Sequence, residues 1–224
     1  MFLIFLLTTP LNVVATSPTE KTTEHVSVNV FGRTVVKEIE SASLKGIVEH
    51  GLSCKEDFMI IFNKQAPQEE VETAFTNVSS FFQSLVDEGF AQSVEELKTL
   101  FHQIRNRIRE PRPQQLGMWN GLPTPLFGNV MCGIFSGGYG AIGFCLGTHM
   151  IFPTIGIDLA NMWMGVGETV SIGLAGFTTS TGLELGITVG FVGIIIATPI
   201  LILGPYLQVG FAAGYIGASP APCS

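Results

Sequence analysis

Three carboxylates, Asp158, Glu168 and Glu184, most invite chemistry, because residues 113–224 of this 224-residue chain contain no Lys or Arg to pair with them. An acidic side chain held in apolar, membrane-like surroundings is costly, so the functional expectation for these three is an ion path or a proton site. The ordinary alternative puts each in a loop or at an interface. It suits Asp158 and Glu184, which border apolar runs; Glu168 interrupts one and is the residue to mutate first.

A second constellation is cationic. Arg105, Arg107, Arg109 and Arg112 close a helical pattern just before the apolar half begins. Such residues complement a helix C-terminal dipole, and here they are also placed to meet anionic lipid headgroups. Other chemistry is sparse. Cys54, Cys132, Cys145 and Cys223 form neither CxxC nor a compact framework. Cys145 and His149 stand one helical turn apart, but a metal needs three or four ligands and no others lie near. No local Ser/His/Asp or Cys/His spacing is present, so the expectation is no enzyme, no cofactor and no metal.

The elements that must position these residues divide sharply by composition. All eleven Lys and Arg, and fifteen of the eighteen Asp and Glu, lie at or before Arg112, whereas 22 of the 26 glycines follow it. Net charge of −7 and a pI near 5.0 offer no general basic surface for nucleic-acid phosphates, so nucleic acid is excluded as a partner. Hydrophobic residues at 46%, charged residues at 13% and a mean hydropathy of +0.44 exclude a disordered chain and point toward a membrane.

Residues 1–15 read as a signal peptide: an apolar run from Met1 ends at Val13-Val14-Ala15 and is shorter than the ~20 residues that span a bilayer. Residues 16–112 read as a polar domain. In it, His25 to Val30 alternates as a strand, Phe31-Gly32-Arg33 turns, Thr34 to Val36 returns, and Met59 to Phe62 is a further short strand candidate. A helical hairpin follows over about 67–88 and 94–109. Pro67 opens it, Val71, Ala74, Phe75, Val78, Phe81, Phe82, Leu85 and Val86 make one apolar face, and Gly89 stops it. Ser93 with Glu96 forms a capping box for the second helix. Residues 113–126 are a Pro-rich linker and 219–224 a tail.

Residues 127–218 admit two readings. The helical one rests on the long apolar run from Gly186 to Gly204, and on glycines one helical turn apart: Gly133 and Gly137, Gly143 and Gly147, Gly186 and Gly190, Gly210 and Gly214. The competing one is strand-like. From Met162 to Leu174 the even positions are Met, Met, Val, Glu, Val, Ile and Leu, and the odd ones Trp, Gly, Gly, Thr, Ser and Gly. Leu183 to Phe191 and Leu207 to Tyr215 alternate similarly, with Thr178 to Gly182 as a hairpin connection. Helices are preferred, because lipid obliges backbone groups to pair internally and tolerates small residues at helix contacts.

The expected protein is therefore two-part: a small α+β helical-hairpin domain and a glycine-rich polytopic α-helical membrane region, with a glycine-rich antiparallel sheet or barrel as the alternative second half. It is expected at a cell membrane with the polar domain extracytoplasmic. Function is expected to be structural or interactive, through membrane lipid and self-association, with no small-molecule ligand specified; the alternative is a small oligomeric channel or transporter using the acidic residues.

Overall fold

A computed structural model describes residues 23–30, 33–109, 126–147, 158–197 and 204–218. The readings of a signal peptide, linker and tail at 1–15, 113–126 and 219–224 fall outside them, apart from Leu126. Two strands, β1 (Thr23–Val30) and β2 (Arg33–Glu40), form an antiparallel hairpin. Four helices follow: α1 (Ser41–Ser53), α2 (Lys55–Phe62), α3 (Gln68–Asp87) and α4 (Val94–Arg107). Four long strands follow among the described residues: β3 (Leu126–Gly147), β4 (Asp158–Gly173), β5 (Gly176–Ala197) and β6 (Gly204–Ala218).

The helical hairpin forms where its local signals place it. Gly89 adopts a φ of 70°. Its N–H donates to the Val86 carbonyl and that of Phe90 to the Leu85 carbonyl, both at 2.8 Å, which is the paired closure of a helix by a left-handed residue. Ser93 Oγ accepts from the Glu96 N–H at 3.1 Å and starts α4. Met59 to Phe62, a strand candidate by composition, is instead the end of α2. Phe58, Met59, Ile61 and Phe62 are all buried, so this run is apolar because its helix is surrounded.

The described residues of the apolar half are strand, apart from the turn at Leu174 and Ala175, which overturns the polytopic helical reading. Strands β3 and β4, β4 and β5, β5 and β6, and β6 and β3 are each paired antiparallel, so the four close into a barrel. The β1–β2 hairpin extends this sheet through four residues of β1 paired with Ile194 to Ala197. Among the described residues no helix is long and apolar enough to cross a membrane. The transmembrane reading, and the cell-membrane location inferred from it, are corrected on that finding. The glycines read as close contacts between helices occupy strands instead. Gly138 faces Gly167 and Gly140 faces Gly165 across β3 and β4, and Gly193 faces Gly210 across β5 and β6. A Cβ on Gly138 would stand 2.3 Å from the Val166 carbonyl oxygen, closer than any side chain tolerates, so these pairs let strong coiling close a ring of only four strands.

Such a narrow ring has little interior volume, and this fixes which face points in. The small-residue face of β4, namely Trp163, Gly165, Gly167, Thr169, Ser171 and Gly173, lines the inside. The bulky face lies outside. The connection between β4 and β5 is the short turn at Leu174 and Ala175, between the paired Gly173 and Gly176; Thr178 to Gly182, read as a hairpin from sequence, belongs to β5.

Helices cover part of the bulky outer face. Phe135, Val170, Ile194, Ile196, Leu207, Val209 and Phe211 of the barrel share one hydrophobic core with the buried faces of α1 to α4. Phe58 organises it, with ring centroids 5.3 Å from Phe101, 6.0 Å from Phe81 and 6.1 Å from both Phe82 and Phe135. The charged and uncharged halves of the sequence thus bury their apolar side chains against each other.

Candidate functional site

The helices leave the outer face of β4 around Met164 and Val166, and the neighbouring parts of β3, β5 and β6, uncovered. Strand register lines up Tyr139, Val166 and Leu183 in one row, Met164 and Leu185 in the next, and Ile187 and Ile216 in a third, with Val189 beyond. All eight are exposed; Val166 and Met164 retain 60% and 55% of their accessible surface. Large apolar side chains on consecutive strand rows make one patch, larger than the few hundred Å² usual on a monomer's surface. Glu168 marks its edge. That carboxylate accepts from Lys55 Nζ at 3.0 and 3.1 Å, where α2 begins to cover the barrel. Lys55, also beside Glu56 at 3.2 Å, supplies from the polar half the cation that the apolar half lacks.

Glu184 has a different setting. It is 2% exposed and points into the barrel. Thr169 Oγ1 lies 2.5 Å from its Oε1 and 2.7 Å from Ser136 Oγ, and Tyr206 OH reaches the same Oε1 at 3.5 Å. Among the described residues its Oε2, Trp163 Nε1 and Ser180 Oγ, all buried, have no partner in good hydrogen-bond geometry, although Trp163 and Ser180 lie close enough to favour the charged carboxylate. Burial pushes this carboxyl above the ordinary carboxylate range, against the lowering effect of hydrogen bonds from Thr169 and its neighbours. Burial likewise raises Tyr206 and Tyr215 beyond the ordinary phenol range. Trp163 stacks on Tyr215 at 5.7 Å above Gly186, where a Cβ would meet the indole at 2.1 Å. Either side of this centre the interior is satisfied by amides. Asn161 Nδ2 donates to Gln208 Oε1 at 2.8 Å, and Asn129 Nδ2 donates to Ser171 Oγ at 3.1 Å and to the Gly176 carbonyl at 2.9 Å.

The three carboxylates singled out from sequence are therefore not one site. Asp158 is the first residue of β4, Glu168 is ion-paired on the outside, and Glu184 is inside. The arginines separate too. Arg105 Nη1 donates to the carbonyls of Ile61 at 2.7 Å and Asn63 at 2.6 Å, clamping the end of α2, and burial holds its guanidinium below the usual arginine range. Arg107 is exposed, Arg109 follows α4, and Arg112 lies outside the described residues. Of the glycines read as helix contacts, Gly133 packs on Phe62, Gly137 on Leu52 and Leu207, Gly186 on Trp163, and Gly210 on the β5 backbone; Gly190 takes a φ of 62°. Gly143 and Gly147 lie in β3 and Gly214 in β6, with open space where a Cβ on Gly214 would stand. Cys132 is buried as a free thiol, its pKa pushed up to about 12, which keeps it protonated and unreactive. Cys145 is in β3 and His149 is outside the described residues; no cluster of three or more metal-ligating side chains occurs among those described.

Sequence reasoning passed over Thr169, Tyr206 and Trp163. For Trp163 and Thr169 the signal was the odd-numbered face of β4, where they stand with Ser171 among glycines, a face polar enough to hold a carboxyl; Tyr206 comes from β6, and no such local pattern marks it. Compared with known protein families, curated proteins and solved structures, the chain matches none.

Proposed function

We propose that this protein is a non-enzymatic interaction module that acts by self-association, a second copy covering the exposed outer face of the barrel. The observation that carries the reading is the row-by-row apolar patch of β3, β4, β5 and β6. Its eight exposed side chains present an area close to the ~800 Å² per partner that a stable interface covers. No charged side chain stands among them, and Glu168 with Lys55 forms a polar rim, the distribution found in protein interfaces. A two-fold dimer needs only one self-complementary patch, and a contiguous apolar patch on the outside of the barrel can meet that condition by packing against its own copy.

Sedimentation equilibrium of the chain tests this. The expected result is a concentration-dependent dimer, with Val166→Asp plus Ile187→Lys raising its dissociation constant about 30-fold or more, the equivalent of losing one interface hot spot. Both positions are exposed, so the double variant should keep the wild-type circular dichroism spectrum. A wild-type chain that stays monomeric at all concentrations, or a double variant that dimerises equally well, overturns the proposal.

A further inference from the structure

Away from the apolar patch, a cleft of about 330 Å³ opens where the end of α2, the segment after α4 and the β4–β5 turn meet. Its size lies within the range of small-molecule sites and holds about ten heavy atoms at the ~30 Å³ a water molecule occupies in the liquid. The chemistry of its walls is two-sided. Phe62, Ile108, Ile172 and Phe177 make an apolar floor and rim, and Phe177 is 63% exposed at the mouth. Among the described residues Lys64 and Arg109 are the charged lining residues, and no acidic side chain is among them. Two described cations on one cleft wall stand out on a chain of net charge −7.

The walls are fixed by bonds that do not consume these cations fully. Arg105 clamps the carbonyls of Ile61 and Asn63 from behind, and Asn63 Oδ1 accepts from the Gln65 N–H at 3.0 Å. The Arg109 N–H donates to the Met131 carbonyl at 3.0 Å, which ties the opposite wall to β3 and leaves its guanidinium exposed. Lys64 Nζ donates to the Asn106 carbonyl at 3.3 Å, using one of its three hydrogens.

We infer that this cleft binds a small amphipathic anion: a carboxylate, set between Lys64 and Arg109, on an aliphatic body of about eight carbons lying over Phe62, Ile108, Ile172 and Phe177. The inference is independent of self-association, because Phe177 is separated from the patch along β5 by Thr179 and Thr181.

Calorimetric titration of the whole chain with octanoate, 1-octanol and inorganic phosphate tests it. Octanoate is expected to bind saturably at one site per chain and at least about 10-fold more tightly than octanol or phosphate, since each lacks one half of the contact; tenfold corresponds to about 1.4 kcal/mol. Lys64→Glu plus Arg109→Glu should weaken octanoate at least about 10-fold with an unchanged melting temperature, and Val166→Asp plus Ile187→Lys should leave it unchanged. Should the first double variant unfold, Phe177→Ser serves in its place, with the same loss expected. No saturable binding, equal affinity for octanol or phosphate, or a cleft variant that binds as the wild type does overturns the inference.

Discussion

Gly138→Ala is expected to destabilise the protein by about 3 kcal/mol or more, lowering the melting temperature by roughly 6–12 °C for a chain of this size. The new methyl would sit 2.3 Å from the Val166 carbonyl oxygen and 2.6 Å from the Gly167 Cα. Neither can rotate away. Both are backbone atoms of β4, and Gly138 is paired directly with Gly167 in the ladder, so relief requires the two strands to separate or uncoil. Gly210→Ala should behave alike, since its Cβ would stand 2.3 Å from the Val192 carbonyl oxygen on β5. Gly46→Ala is the matched control. It lies in α1 with open space around the added methyl, where replacing glycine should stabilise by about 0.5–1 kcal/mol. Thermal melts followed by circular dichroism and by tryptophan fluorescence check all three. A Gly138→Ala protein that melts within a degree of the wild type would mean that β3 and β4 do not approach as described.

The same glycines explain why one half of the fold was legible in the sequence and the other was misread. Helices α3 and α4 are announced by signals within a few residues of one another: Gly89 closing one, Ser93 and Glu96 opening the next. Nothing so local announces the barrel. Gly133 and Gly137 have the spacing of a helix contact, yet as strand residues four apart they share a face and serve α2 and α1 packing on it. What decides between the readings is the partner across the ladder, Gly165 for Gly140 or Gly210 for Gly193, and register between distant segments is not written at either one. Alternation did carry the information that β4 has a bulky and a small face. It did not say that the small face would be the interior, because that depends on the ring having only four strands. The pairing of Glu168 was hidden in the same way: Lys55 lies in the other half of the chain, so counting cations near the carboxylate could not find it.

Glu184 carries the second large effect, and its sign follows from burial. A carboxyl raised by desolvation binds its proton more tightly folded than unfolded, so the folded state is favoured most below the ordinary value of 4.5. Stability is then lost as pH rises through the elevated folded value, and stays lower above it. Tyr206 and Tyr215, the other titratable groups facing this carboxyl, are pushed upward and stay neutral throughout that window. Glu184→Gln should therefore match the wild type near pH 4, melt higher at pH 8, and flatten the decline in melting temperature between them. Thr169→Val should act in the opposite direction. It removes the hydroxyl 2.5 Å from Oε1 and strands a buried acceptor, a loss of about 1–3 kcal/mol that should grow as pH rises and the stranded carboxyl gives up its proton. In the Glu184→Gln background that pH dependence of the Thr169→Val loss should vanish. Melting temperatures of the wild type, both single variants and the double variant across pH 4–8 decide the matter. Parallel pH profiles for wild type and Glu184→Gln would show that folding leaves this carboxyl's proton affinity unchanged, overturning the upward shift.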